Sequence, residues 1–366
     1  MSKVYMTDLR TRHGESLLCK LTALLQAAGF ETLDWEGKFA AIKLHFGEPG
    51  NLAYVNPAYA RTVAEYIKRL GGIPFLTDCN TLYAGRRKNA IDHLGAAYEN
   101  GFNPLSTGCH VIIADGLLGN DEVEVPVRGE YVTAAKIGRA VMEADVFVSL
   151  THFKGHDFTG IGGCLKNVGM GCGSRAGKEE MHRHGKPRVR EERCIGCGTC
   201  LRYCGQGAIW VDGVAHIDPD KCVGCGHCIT PCPKVAIRTP FAGADEKIGQ
   251  KIAEYSLAVL QGRPQFHINM VVDVSPSCDC NDYNDVPIVP DVGMFASFDP
   301  VALDQACGDA VNAQKPLPGS SLAEDPDCGK RDHWSVNFPQ TDWQAGLAHA
   351  EKIGLGSRTY ELIRVD

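Results

Sequence analysis

The sequence predicts an α/β fold, a mainly parallel sheet with helices on both faces, interrupted by a smaller α+β module. Three observations lead there. Short apolar runs alternate with helix-like segments through about the first 185 residues, as βαβ units require. The same alternation resumes after residue 240. Between the two parts, eight of the chain's 17 cysteines fall from Cys194 to Cys232. The expected division is a first core part over 1–186, an insert over 187–240 and a second core part over 241–366.

In chain order, KVYMTD (3–8) is a predicted strand. The Leu- and Ala-rich segment Glu15–Ala28, stopped by Gly29, is a predicted helix. FAAIKLHFG (39–47) is a strand with a polar end. Pro57–Leu70 has proline in its first turn and Gly71-Gly72 after its end, so both helix-end signals are present. PFLTD (74–78), a helix near Asn89–Tyr98, HVIIADG (110–116), a helix over Val132–Glu143 and DVFVSLTHFK (145–154) follow. DEVEVPVRGEY (121–131) alternates like an exposed hairpin or edge strand. Beyond the insert come a helix over Asp245–Leu260, strand HINMVVDVS (267–275), and a strand and loop within PIVPDVGMFAS (287–297). Asp299 is placed to cap a helix from Pro300 to about Asn312. Lys315–Gln340 is predicted as loop, and Thr341–Ile353 as a closing helix.

The cysteine stretch reads CIGCGTCLRYCGQGAI (194–209) and CVGCGHCITPCPKVAI (222–237), two copies of C-x₂-C-x₂-C-x₃-C that both close on Ala-Ile. This spacing holds [4Fe–4S] clusters, the fourth cysteine of each run reaching the other cluster. Cys194, Cys197, Cys200 and Cys232 would then hold one cluster, and Cys222, Cys225, Cys228 and Cys204 the second. Glycines between the ligands let backbone N–H groups approach the cluster sulfurs. Zinc knuckles and disulfides are the competing explanations, but zinc sites take ligands in separated pairs, which leaves the third cysteine of each run unplaced. Residues 188–240 resemble bacterial two-cluster ferredoxins. One departure is that Cys204 is followed by Gly205, where Cys232 has the expected Pro233.

Composition narrows the function. A formal charge of −7 and a pI near 6.0 disfavour a nucleic-acid binder. The N-terminal segment has no apolar signal region and no run of eighteen apolar residues occurs, so the expectation is a reducing cytoplasm with no membrane contact.

Several predicted strands end in chemically capable residues, and sites in open parallel sheets form at such ends. These are His45 and Glu48; Asp78, Cys79 and Asn80; His152, Lys154, His156 and Asp157; and Cys278, Asp279 and Cys280. Any one of them could simply cap a loop; four ends together point to a shared pocket. The glycine-rich stretch GIGGCLKNVGMGCGSRAGKEEMHRH (160–184) adds Lys166, Asn167 and Lys178 as a candidate anion site. It is not a Walker loop, and its G-x-G-x-x-A match lacks a preceding strand and a following acidic residue. A flexible hinge into the insert is the competing reading.

LTHFKGHDFTGIGGCLKNVGMGCGSRAGKEEMH, SPSCDC and SFDPVALDQACGDAVN together resemble the domain-of-unknown-function family 362, described as iron–sulfur centre proteins when a ferredoxin module is present. The resemblance implies an α/β core with an inserted two-cluster module and no established reaction.

Cys278 and Cys280 could bind a second metal ion with His152, His156, His182 or His184, act as a thiol pair, or merely pack. DCNDYND (279–285) fails as a calcium loop, because Tyr283 takes a ligand position. Cys19, Cys109 and Cys307 suit buried small hydrophobes. The leading expectation is an iron–sulfur redox protein exchanging electrons with a partner protein or small donor. In it Lys154, Lys166 and Lys178 orient an anionic substrate, and His152 or His156 handles protons. Carriers without catalysis and cluster-based structural or sensor proteins are the alternatives.

Overall fold

The computed structural model describes the chain apart from residues 84, 183–185, 230, 239–243 and 366. The first part runs β1 (Ser2–Thr7), α1 (Leu17–Ala27), β2 (Phe39–Lys43), α2 (Pro57–Arg69), β3 (Ile73–Asp78), α3 (Ala90–Glu99), the single turn α4 (Pro104–Thr107) and β4 (His110–Ile113). A ribbon of β5 (Glu122–Pro126) and β6 (Ala134–Gly138), short α5 (Arg139–Glu143) and β7 (Val146–His152) follow. The hairpin β8 (Lys154–His156) and β9 (Gly160–Gly162) then leads into α6 (Cys164–Cys172) and α7 (Arg175–His182). The cysteine stretch holds β10 (Arg188–Val189), α8 (Thr199–Tyr203), β11 (Ile209–Asp212), β12 (Val214–Ile217) and β13 (Ile237–Arg238). The second part is α9 (Ala244–Leu260), β14 (Gln265–Val271), β15 (Gly293–Ser297), α10 (Pro300–Asn312), α11 (Ser321–Glu324), α12 (His333–Asn337), α13 (Trp343–Lys352) and β16 (Tyr360–Arg364).

Helix starts follow local chemistry. Ser16, Asn56, Asn89 and Asp299 each accept an N–H from the first turn of the helix they precede. Such a cap is worth about 1 kcal/mol. Pro57 and Pro300 sit at the next position, where a missing N–H costs nothing.

The central sheet has eight strands in the order β16-β1-β15-β14-β7-β2-β3-β4. Only β15 runs against the others, paired antiparallel with β1 and β14. Alternate strand residues feed two apolar layers. Ala41, Phe147 and Val271 belong to the layer beneath α6, α9, α10 and α13. Ala40, Ile42, Val148 and Ile268 belong to the opposite layer, with α1 and α2. From β2 the chain steps outward through β3 to β4, then returns to β7 on the other side of β2 and continues to β14. The order therefore reverses between β2 and β7, and a crevice opens at their carboxyl ends.

The structure corrects three local expectations. Val132–Glu143 is not one helix: residues 134–138 pair with β5, with Ala135 and Ile137 buried and Lys136 half-buried, a period of two. Within the glycine-rich stretch, Cys164–Cys172 and Arg175–His182 are helices rather than a hinge. Its glycines permit close helix packing; a Cβ at Gly169 would lie 2.2 Å from the Ile252 carbonyl of α9. Lys315–Gln340 contains α11 and α12, and β16 lies parallel to β1, a strand not read from the sequence. Among the described residues, no helix is long and apolar enough to cross a membrane.

In β14, His267 is fully buried between Ser149 Oγ (2.9 Å) and Gln265 Oε1 (3.0 Å), and burial pushes it down to about 3. An unfolded histidine titrates near 6.5, so the unfolded chain takes up the extra proton in between. This contribution is present above pH about 6.5 and is lost as pH falls toward about 3. It amounts to on the order of a few kcal/mol. Urea unfolding of His267→Gln should show a flatter loss of stability over that window than the parent chain; identical slopes would contradict this.

Candidate functional site

The loops after β2, β3, β7 and β14 meet over the crevice and, with α6 and α7, enclose a cavity of about 1060 Å³ including its open mouth. Its floor is a buried charge network. Lys43, at the end of β2, places Nζ 3.0 Å from Asp78 Oδ1 and 2.8 Å from Asn167 Oδ1. Arg87 donates from Nε to Glu48 Oε2 at 2.8 Å and sets a second nitrogen 3.6 Å from Asp78 Oδ2. Burial alone would raise the Asp78 carboxyl, but Lys43 and His93 outweigh it and hold it well below the usual range. The loops are tied across one another. The Glu48 N–H donates to the Asp279 carbonyl (2.9 Å), and the Asp279 carboxylate accepts from His152 Nδ1 (2.8 Å).

The residues singled out in the sequence take distinct places. His152 also faces the Val272 and Asp273 carbonyls through Nε2, at 2.8 and 3.2 Å. Both ring nitrogens thus meet chain oxygens, and the ring braces two loops. Lys154 Nζ lies 3.4 Å from Asp279 Oδ2; burial lowers its affinity for a proton, but Asp279 and Cys278 more than restore it. Asn167 clamps the two strand ends, donating to Thr151 Oγ1 (2.9 Å) and the Lys43 carbonyl (3.1 Å). Lys178 caps the end of α6 through the Gly171 and Gly173 carbonyls. Lys166 sets Nζ 3.7 Å from Cys278 Sγ. Asn167, Lys166 and Lys178 line the one cavity, with His152, Lys154 and His156. His182 lines it too, whereas His184 lies outside the described residues.

Cys278 and Cys280 close a tight turn in which the Cys280 N–H points at Cys278 Sγ (3.5 Å). A hydrogen bond from the Cys280 thiol, with Lys166 and Lys154 nearby, pulls Cys278 well below an ordinary thiol despite its burial. The shared hydrogen bond and burial push Cys280 up, so Cys278 is the sulfur of the pair that gives up its proton first. Other buried cysteines behave oppositely. Burial raises Cys79, Cys164 and Cys307 well above the usual value and Cys172 up to about 12. His156, pushed down to about 4 by burial and Lys166, faces the pair; its ring nitrogen and the two sulfurs lie within 4.8 Å of one another, a group able to hold a metal ion.

None of the 17 cysteines is in a disulfide; Cys109 and Cys307 are buried, whereas Cys19, expected to be buried, lies exposed in the first turn of α1. In the cysteine stretch, β10 and β13 pair, bringing its two ends together. Cys194, Cys197, Cys200 and Cys232 line one small cavity; Cys204, Cys222, Cys225 and Cys228 line another. Backbone N–H groups of Ala215, Ala208 and Ala236 point at the sulfurs of Cys194, Cys204 and Cys232 at 3.2–3.3 Å. Four thiols converging on one space, with N–H donors on the sulfurs, is the donor set an iron–sulfur cluster takes. The second cavity sits against the core. Cys225 and Gly226, which line it, also line the central cavity, as does His227. The His227 ring stacks on Tyr83 at 4.7 Å, and Lys88 donates to the Gly205 carbonyl at 2.7 Å. At Gly226, in the left-handed region with φ 71°, a Cβ would fall 1.9 Å from the Phe158 ring.

Sequence reading missed Lys43, Arg87 and Tyr83. Lys43 carried a usable signal, a lone charge ending an apolar strand; Arg87, in the run GRRK, resembled a solvated loop.

Fold and site together define a mainly parallel α/β protein with a thiol- and lysine-lined cavity at its topological switch point, roofed by a cysteine-rich module. The profile of the domain of unknown function DUF362 matches residues 40–309, and the chain belongs to that family. No curated protein matches it. Among solved structures it is similar to the lactate racemase apoprotein from Thermoanaerobacterium thermosaccharolyticum, at 12% identity and TM-score 0.36 over 75% of this chain and 51% of that one. A Thermotoga maritima protein gives 11% identity and TM-score 0.35 over 69% and 49%. The chain thus spans about half the length of each.

Because Asp78 is buried, removing Lys43 should be expensive. Lys43→Met is expected to lower unfolding free energy by about 3–5 kcal/mol in denaturant titrations, with most of it recovered in Lys43→Met/Asp78→Asn. Additive losses in the double variant would show that the pair is not coupled.

Proposed function

We propose that the protein is an iron–sulfur redox protein. Residues 187–240 form an inserted ferredoxin-type module, and the core parts 1–186 and 241–366 bind what exchanges electrons with it, an anionic substrate or a second metal. Cys194, Cys197, Cys200 and Cys232 would hold one [4Fe–4S] cluster, and Cys204, Cys222, Cys225 and Cys228 the other. Bound clusters would supply one-electron transfer with a partner protein or small donor. One observation carries the reading: Cys225 and Gly226 belong both to the second four-thiol cavity and to the wall of the central one.

Within the core, Lys166 and Lys178 make no ion pair with a carboxylate among the described residues, so their charge is available to an anion. Lys154 is shared with Asp279 and adds to that field. His156, neutral near pH 7, faces the two thiols, whereas both nitrogens of His152 are already engaged by the chain. The thiol-rich module suits a reducing cytoplasm.

Anaerobically purified protein should contain about eight iron and eight acid-labile sulfide per chain, and Cys225→Ser about half of each. Reduced protein should then be reoxidised by particular small anions, and Lys166→Ala should slow this about tenfold without changing iron content. Material without sulfide would sink the cluster reading. Clusters that no anion reoxidises would leave a carrier without catalysis.

A further inference from the structure

We infer that His156, Cys278 and Cys280 form a mononuclear site for a divalent ion of the zinc class, with its fourth position open to the central cavity. This deepens the core half of the reading above and rests on that half, not on the clusters. The donor set is two thiols and one imidazole, the soft combination that tetrahedral Zn²⁺ or Co²⁺ takes, with three protein ligands where a position stays open. Metal–sulfur bonds of ~2.3 Å at tetrahedral angles separate two sulfurs by roughly 3.8 Å. The three ligand atoms already lie within 4.8 Å, so they need only draw in.

The surroundings prepare these ligands. Asp279, between the two cysteines, is anchored on His152 at 2.8 Å and sits 3.4 Å from Lys154. That fixes the turn, while the Asn281 N–H closes it on the Cys278 carbonyl at 3.0 Å. The protein side of His156 is occupied at Nδ1, with Thr159 Oγ1 at 3.0 Å and the Phe158 N–H at 3.2 Å. Thr159 gives its hydroxyl hydrogen to the Ile161 carbonyl (2.7 Å), and the Phe158 N–H donates to Nδ1, so Nε2 is the ring nitrogen left for a metal. Taking the metal there moves the ring proton to Nδ1, where the Thr159 oxygen can accept it in place of the Phe158 contact. The Cys280 N–H and the Lys166 ammonium both reach Cys278 Sγ, as outer hydrogen bonds to a ligating thiolate do.

Charge sets the class of the fourth ligand. A divalent ion with two thiolates and a neutral imidazole sums to zero, and Lys166 beside it adds one positive charge. His156 and Cys280 both line the cavity, so the open position faces it. An anionic oxygen donor, hydroxide or the carboxylate of a small molecule, fits there.

The test titrates anaerobic, reduced, full-length protein with Zn²⁺ against a chromophoric chelator, measuring acid-labile sulfide in the same samples. The parent chain should bind one Zn²⁺ that Cys280→Ser and His156→Gln bind at least about 100-fold more weakly, with sulfide unchanged. The zinc-edge X-ray absorption spectrum of the parent chain should show two sulfur and two lighter ligands, a measurement that needs no folded variant. No zinc uptake, uptake unaltered by both substitutions, or a four-sulfur spectrum would overturn the site. Absence of sulfide from every sample would instead remove the clusters and leave the zinc result standing.

Discussion

Charges buried at the carboxyl edge of the sheet hold this molecule's chemistry in place. Lys43, Arg87 and Lys154 are matched there by Asp78, Glu48 and Asp279, each pair out of water. Taking such ions from solvent costs several kcal/mol apiece, recovered only when geometry and extra hydrogen bonds are good. The arrangement is therefore all-or-none. Each charge belongs to a different loop from its partner or to a strand end, so satisfying the charges fixes β2, β3, β7 and β14 loops relative to one another. Lys166 and Lys178 sit above this balanced floor and line the cavity.

Much of this was legible in the sequence because local rules and the global fold agree. Alternating apolar runs gave the strands, and Pro57 and Asp299-Pro300 marked helix starts to the residue. Where reading failed, tertiary contact outweighed local pattern. Ala134–Gly138 has helix-forming composition, yet pairing with Glu122–Pro126 makes it a strand. The glycines of 164–172 looked like loop permissiveness, but Gly169 is where α6 lies against α9, and Gly171 leaves room for the Lys43 ammonium.

The candidate site divides in the same way. Polar strand ends were visible because a charged or thiol residue after an apolar run breaks the pattern. What they do was not visible, because the decisive partners are far apart in the chain: 127 residues separate His152 from Asp279, and 112 separate Lys166 from Cys278. The sequence likewise offered His152 and His156 as equals. Only contact geometry separates an imidazole saturated by acceptors from one with a nitrogen toward two sulfurs.

Gly226 touches the Phe158 ring with no space for even a methyl group. Any homologous cysteine module grafted into this scaffold must keep a glycine there, however well its own cysteines match. A bulkier residue would lift the roof as a lid on a wedge, parting Cys225 from the chamber beneath. Seating of the cysteine stretch on the core is thus a requirement of its own, beyond the spacing of the cysteines.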